Sequence, residues 1–282
     1  MRGTWYLVLD DLPIVSKNLT RLELYGLWVH TRFLDFSSCS ALEYLQVVNC
    51  ILIATKISSE SLKHLSIRES RLSSDVRTQI HAPNLVSLRL DGLKNLTPKL
   101  GSMPSLVEGI VRMTDKCFVF FITLSEEDHL DCLCSTNSHG KGVDSCVLFN
   151  GLSKAKSLEL ICSPSDKFFQ ILFIWDLRLC PLFSNLKTLL LNEYWCMPDD
   201  FSALLRILEL SPVLEELTLE LFSEGPNYEV EMNGSISPVE RSATISDHLN
   251  IVKVKCHAVD ESVLKVFKIL CTLNISFCRV FF

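Results

Sequence analysis

Apolar residues recur along this chain in a six-residue figure, with positions one, four and six apolar and the positions between them mostly polar. Clear copies fall at Leu19, Leu22, Leu24; at Leu42, Leu45, Val47; at Leu62, Leu65, Ile67; and at Leu85, Leu88, Leu90. Two more follow at Leu186, Leu189, Leu191 and at Leu214, Leu217, Leu219, and weaker ones start at Leu106, Ala155 and Leu249. From Leu19 to Leu106 successive first positions are 23, 20, 23 and 21 residues apart. Positions four and six are separated by a single residue, which is the alternation of a strand with one buried face. Each figure therefore predicts a short strand. Their even spacing predicts that the strands lie side by side and parallel, with positions one, four, six and nine turned inward and three, five and seven facing out.

The residues around the figure fit corners between such strands. Pro83, Pro104 and Pro212 each stand two residues before a first-position leucine, where a residue that cannot donate to a ladder suits a turn. Cys50 is the ninth residue of the figure begun at Leu42, where a polar or thiol side chain satisfies the bend. Between Leu186 and Leu214 the interval lengthens to 28 residues. The added length reads as a helix from Pro198 to about Leu210, with Asp199 and Asp200 beside its positive end and Phe201, Leu204, Leu205 and Leu208 on one stripe. These periods are those of leucine-rich repeats. The fold expected is an α/β leucine-rich-repeat solenoid with a parallel concave sheet and a C-terminal strand-helix cap.

The organisation follows. Residues 1–222 are read as the solenoid, with an insertion loop over 125–144, residues 223–247 as a flexible loop rich in Gly, Pro and Asn, and 248–282 as the cap. In the cap Asp260 is expected to start a helix that turns Val263, Phe267 and Leu270 inward, beside Leu264 and Cys271.

Particular strings carry more than leucine spacing: FLDFSSC at 33–39, APNLVSLRLD at 82–91, MPSL at 103–106, NLKTLLLNE at 185–193, SPVLEELTL at 211–219 and HLNIVKVKCHAVD at 248–260. Over nearly its whole length the chain resembles the repeat region of plant F-box/LRR proteins that end in an FBD segment, and the last string is similar to the start of an FBD. The resemblance implies that the repeats select a protein substrate, while an F-box ahead of them docks on a Skp-type adaptor of a cullin ubiquitin ligase. This chain departs from that pattern. It begins inside the first repeat, Leu9-Asp-Asp-Leu-Pro13 matches an F-box opening only faintly, and the FBD-like end is shortened. With the F-box absent, adaptor binding is the part of the family role placed in doubt. The alternative is a truncated, non-ligase interaction protein of the same build.

Composition narrows the partners. The chain has 282 residues, 48% hydrophobic and 21% charged, enough apolar material for a sizeable core. Its formal charge of -6, without a basic cluster, argues against nucleic acid and against a membrane surface. The longest apolar stretches, Cys117 to Leu124 and Val266 to Phe282, are too short or too interrupted to cross a bilayer. Met1 to Asp10 holds no export signal, so the 12 cysteines are read as small buried hydrophobes of a cytoplasmic or nuclear protein. The sequons at Asn18, Asn95, Asn233 and Asn274 are accordingly read as chance matches.

Little in the sequence points to chemistry. His129, Cys132, Cys134, His139 and Cys146 lie close together, but without a zinc-knuckle spacing. Gly140-Lys141-Gly142 lacks the remainder of a phosphate loop. No cofactor is expected, nor an enzyme. The strongest candidates lie on the outward positions of the first four repeats, where Arg21, Tyr25, Tyr44, His64, Arg68 and Arg89 combine the residue types that anchor protein interfaces. Trp28, Trp175 and Trp195 are expected to pack in the core or at corners.

Overall fold

The computed structural model describes residues 7–10, 14–118, 147–162, 177, 179–196, 201–222, 247–272 and 278–281. A first strand, β1 (Leu7–Asp10), precedes a coil of three short strands, β2 (Arg21–Tyr25), β3 (Leu27–His30) and β4 (Phe33–Asp35). The next coil repeats that course with β5 (Tyr44–Val48), β6 (Ile51–Ile53) and β7 (Lys56–Ser58). Two more follow, β8 (His64–Arg68) with β9 (Gln79–His81), and β10 (Ser87–Leu96) with β11 (Lys99–Leu100). Beyond β12 (Glu108–Phe118) helix enters. The short α1 (Phe149–Leu152) precedes β13 (Ser157–Cys162), a 3-10 turn over Glu193–Cys196 follows β14 (Thr188–Asn192), and α2 (Ser202–Glu209) leads to β15 (Glu216–Leu221). The chain then runs through β16 (Ile251–Cys256), α3 (Glu261–Thr272) and β17 (Cys278–Phe281).

Strands of equal rank in successive coils pair in parallel, which makes this an α/β architecture of parallel sheets with few helices. The long sheet holds ten strands in the order β2, β5, β8, β10, β12, β13, β14, β15, β16, β17; a second joins β1, β3 and β6; a third joins β4, β7, β9 and β11. Register explains why the six-residue figure recurs. Leu22, Leu45, Leu65 and Leu88 are direct cross-strand partners, and so are Leu24, Val47, Ile67 and Leu90. The same two columns continue through Leu158, Leu189 and Leu217, and through Leu160, Leu191 and Leu219. From Leu45 onward these side chains are 0–2% exposed. Each one buried contributes roughly 1.5–3 kcal/mol relative to an exposed position. Gly109 interrupts the first column where the neighbouring leucines close over it: a Cβ there would stand 2.7 Å from Leu158 Cδ2 and 3.2 Å from Leu152 Cδ2, so those side chains would have to shift.

Corners hold the register. Ahead of the strands a four-residue turn closes by a hydrogen bond from the first-position leucine, as when Leu42 N–H donates to Cys39 C=O (2.9 Å), Leu85 to Ala82 (3.1 Å), Leu106 to Met103 (3.1 Å) and Leu214 to Ser211 (3.2 Å). Pro83, Pro104 and Pro212 occupy the second residue of three of these turns, the position proline's fixed φ favours. One carbonyl of each coil then accepts two successive N–H groups from the next, Thr20 from Glu43 and Tyr44, Glu43 from Lys63 and His64, Lys63 from Val86 and Ser87. Cys50 plays the part read for it. Its Sγ accepts the Leu27 N–H (3.4 Å) and lies 3.5 Å from Leu24 C=O, filling the bend after the strand.

The described strands β12 and β13 are direct neighbours in the long sheet. Some expectations fall outside the described residues and others need correction. The loops read over 125–144 and 223–247 lie outside the described residues, apart from Asp247, as do Pro198, Asp199 and Asp200. Helix α2 begins after Phe201, whose φ of 51° is left-handed, and it buries Ala203 and Ile207 as well as Leu204 and Leu208. In α3 Asp260 does cap, its Oδ1 accepting the Val263 N–H at 2.9 Å. Phe267 packs on the core as expected, and Val266 joins Val263 and Leu270 as a buried residue; Leu264 and Cys271, at the edge of that stripe, are exposed. Finally, α3 is followed by β17, which pairs with β16 and ends the long sheet.

Candidate interaction surface

Between the buried columns, alternate residues of the long sheet form three outward columns. The strands place Arg21 beside Tyr44 and His64, Glu23 beside Gln46 and Ser66, and Tyr25 beside Val48 and Arg68. At the β2–β5 end these side chains close a ring. Arg21 Nε pairs with Glu23 Oε1 at 2.5 Å, and the Tyr25 hydroxyl donates to the other carboxylate oxygen at 2.8 Å. Gln46 Nε2 donates to Tyr25 Oη (2.9 Å), and Tyr44 Oη donates to Gln46 Oε1 (2.7 Å). Arg21 completes the circuit with its guanidinium 3.7 Å from the Tyr44 ring centre. The His64 ring lies 6.2 Å beyond, tilted by 38° to Tyr44.

The ring's electrostatics are local. The Tyr25 hydroxyl, and then Arg21, hold the Glu23 carboxyl below its ordinary pKa, while Glu23 raises Arg21 and Tyr25 in return. All three groups remain in contact with water, so the network contributes order more than stability. Each side chain has its rotamer fixed by two neighbours, which lowers the entropy lost when a partner settles on it. Tyr25 keeps 54% of its surface exposed and offers an aromatic face.

The other predicted residues are placed differently. Arg68 is exposed on the column of Tyr25, with no side-chain ion pair among the described residues. Arg89 is not a free cation: it is held by Asp91, two residues along the same strand, at 2.7 Å from Nη2 and 3.3 Å from Nε. Of these two predicted arginines, Arg89 is thus neutralised by Asp91, and Arg68 is the one without an ion pair among the described residues. Glu23 and Gln46, which hold the ring together, lay on the outward positions but had not been singled out.

Toward the other end the face is closed by its own charges. Arg112 pairs with Glu159 (2.5 Å), Lys253 with Glu216 (2.5 Å) and Lys255 with Glu220 (2.9 Å), and Thr188 donates to Ser157 at 2.8 Å. Asn192, expected to face out, turns in at 6% exposure; it donates to Cys162 C=O (2.7 Å) and accepts the Cys162 N–H (3.1 Å). Beside it Glu193 has its carboxyl pKa raised by burial and by the neighbouring Glu220 charge. Trp195 is fully buried and donates from Nε1 to Leu160 C=O at 2.9 Å, as core packing requires. Trp28 corrects the expectation made for it: it is 40% exposed on the outer side of β3. Trp175 lies outside the described residues.

Among the described residues no three His, Cys, Asp or Glu side chains gather as metal ligands; His129, Cys132, Cys134, His139 and Cys146 lie outside them. No helix among the described residues is long and apolar enough to cross a membrane. No protein-family model matches the chain, and neither a curated protein nor a solved structure matches it.

Proposed function

We propose that this chain is a leucine-rich-repeat scaffold of the cytoplasm or nucleus that recognises a protein partner on the outer face of β2, β5 and β8. The observation that carries this reading is the closed ring Arg21–Glu23–Tyr25–Gln46–Tyr44, an exposed and pre-ordered group of interface-forming side chains, with Arg68 unpaired beside it. The in-register leucine columns support the repeat assignment. The resemblance of 82–91, 185–193 and 248–260 to plant F-box/LRR proteins supports substrate recognition in protein turnover as the role. Nothing chemical is assigned to this face, and its task is binding.

Affinity capture with mass spectrometry tests the proposal, comparing wild type with Tyr44→Ser/Arg68→Glu. The variant is expected to lose at least about tenfold of the captured partner with a nearly unchanged melting temperature, since Arg68 is exposed and the half-buried Tyr44 lies on the outer face of the sheet, not in the core. Equal capture by both proteins removes this face from consideration. Recovery of a Skp-type adaptor in the wild-type sample identifies a ligase subunit, and recovery of the partner without it identifies a non-ligase scaffold.

A further inference from the structure

The second sheet carries a face that the function proposed above does not use. Val8, Trp28 and Ile51 are direct cross-strand partners there, and isolated bridges continue the same column from Ile51 to Arg71 and on to Lys94. The alternate residues Val29, Leu52, Leu72 and Leu93 are 0–3% exposed, so the column between them points to solvent. Val8 is 47% and Trp28 40% exposed; at the far end Arg71 is exposed and Lys94 half-buried, and neither makes a side-chain ion pair among the described residues. One line of neighbouring side chains is therefore apolar at one end and cationic at the other. At about 4.8 Å per strand, Arg71 stands roughly 10 Å and Lys94 roughly 14 Å from Trp28.

We propose that this column is a second docking surface, for an acidic segment of a protein partner that lays an aliphatic or aromatic side chain on Trp28 and sets carboxylates against Arg71 and Lys94. Charge complementarity selects that occupant. The column itself holds two cations and no carboxylate, so the carboxylates of an acidic segment find counter-charges at its Arg71 and Lys94 end. An exposed tryptophan in a row of aliphatic neighbours is the side chain that most often anchors an interface. A lipid surface fits less well. Two cations supply little attraction to the many anionic headgroups of a bilayer. A second copy related by a two-fold axis would set the cations against each other or against the apolar end.

Selection from a phage-displayed random peptide library on the full chain tests the proposal, followed by affinity measurement with the synthetic winning peptide. The expected winners combine an aliphatic or aromatic residue with two or more Asp or Glu. Their affinity is expected to fall about tenfold or more on Trp28→Thr, which puts a strand-favouring β-branched residue in its place, and on Arg71→Glu/Lys94→Glu. The Tyr44→Ser/Arg68→Glu variant is expected to bind these peptides as wild type does, which separates this surface from the long-sheet face. Winners without acidic residues, affinities indifferent to both column variants, or no enrichment at all overturn the proposal. So does binding to phosphatidylserine vesicles that Arg71→Glu/Lys94→Glu abolishes, or a dimer that Trp28→Thr disperses.

Discussion

The coils before β12 and those after β13 bury the same two apolar columns but build their backs differently. In the first four, 20–23 residues separate one first-position leucine from the next, and the return path is made of strands of two to four residues. Between Leu186 and Leu214 the interval is 28 residues, and the return path is the 3-10 turn and the eight-residue α2. Length accounts for the difference. A helix of eight residues spans about 12 Å, a distance a strand covers in about four. An interval of 28 residues instead of 20–23 is longer by 5 to 8, and about four of these are what a helical back requires to cross the same gap. The two regions also differ outside: the front offers an ordered but open group of Tyr, Arg and His, whereas the rear has paired its cations with Glu159, Glu216 and Glu220.

The sharpest way to break this comparison is in the columns both regions share. Leu88→Asp places an unpaired carboxylate at a site of 0% exposure between Leu65 and Gly109, and is expected to cost roughly 3–5 kcal/mol. A urea melt that stays cooperative with the wild-type midpoint would show that Leu88 does not face the core. Next in size is a change confined to the helical rear. Trp195 packs edge-on to Phe149 and Tyr194 and donates to Leu160 C=O. Trp195→Leu is expected to cost about 2–4 kcal/mol, from the cavity and the unpaired carbonyl together. Hydrogen exchange is expected to rise around β13 and β14 and to leave β2, β5 and β8 unchanged; equal loss of protection in both regions would mean the two backs are not independent.

The smallest effect is a pH dependence at Glu193. Its folded pKa is raised above the ordinary 4.5, first by burial and also by Glu220. A carboxyl with a raised folded pKa adds stability while protonated, and that contribution is lost as pH rises from its ordinary value through the folded one. Glu193→Gln is therefore expected to melt above wild type at neutral pH, with the gap closing as pH falls toward 4.5. A gap that widens on acidification would contradict the sign.

The frame of the long sheet was legible because side chains with a two-residue period can meet the interior in only one register, and leucines at Leu45, Leu65 and Leu88 state that register three times over. The outward positions of the ring followed from it. What did not follow was the fate of individual polar groups. Arg89 and Asp91 both face out and stand two apart on one strand, so their pairing was visible in principle, but only side-chain geometry shows that it forms. Asn192 turns inward because β14 ends there in a 3-10 turn, which no periodic pattern marks. Trp28 was misread because the backs of the short coils had not been recognised as strands. Leu27 and Val29 turned in with Trp28 and His30 out is a strand alternation, but four residues are too few to distinguish it from a corner.

The claim that the front of the long sheet binds while the rear is closed is tested most directly by photocrosslinking from two positions on one column. Tyr44 and Thr188 both begin a long-sheet strand and face out, one beside the ring and one beside the paired charges. With p-benzoylphenylalanine placed at either site in the full chain and irradiated in cells, covalent protein adducts are expected from position 44 and not from position 188. Adducts from position 188 alone, or in equal yield from both, would contradict the account.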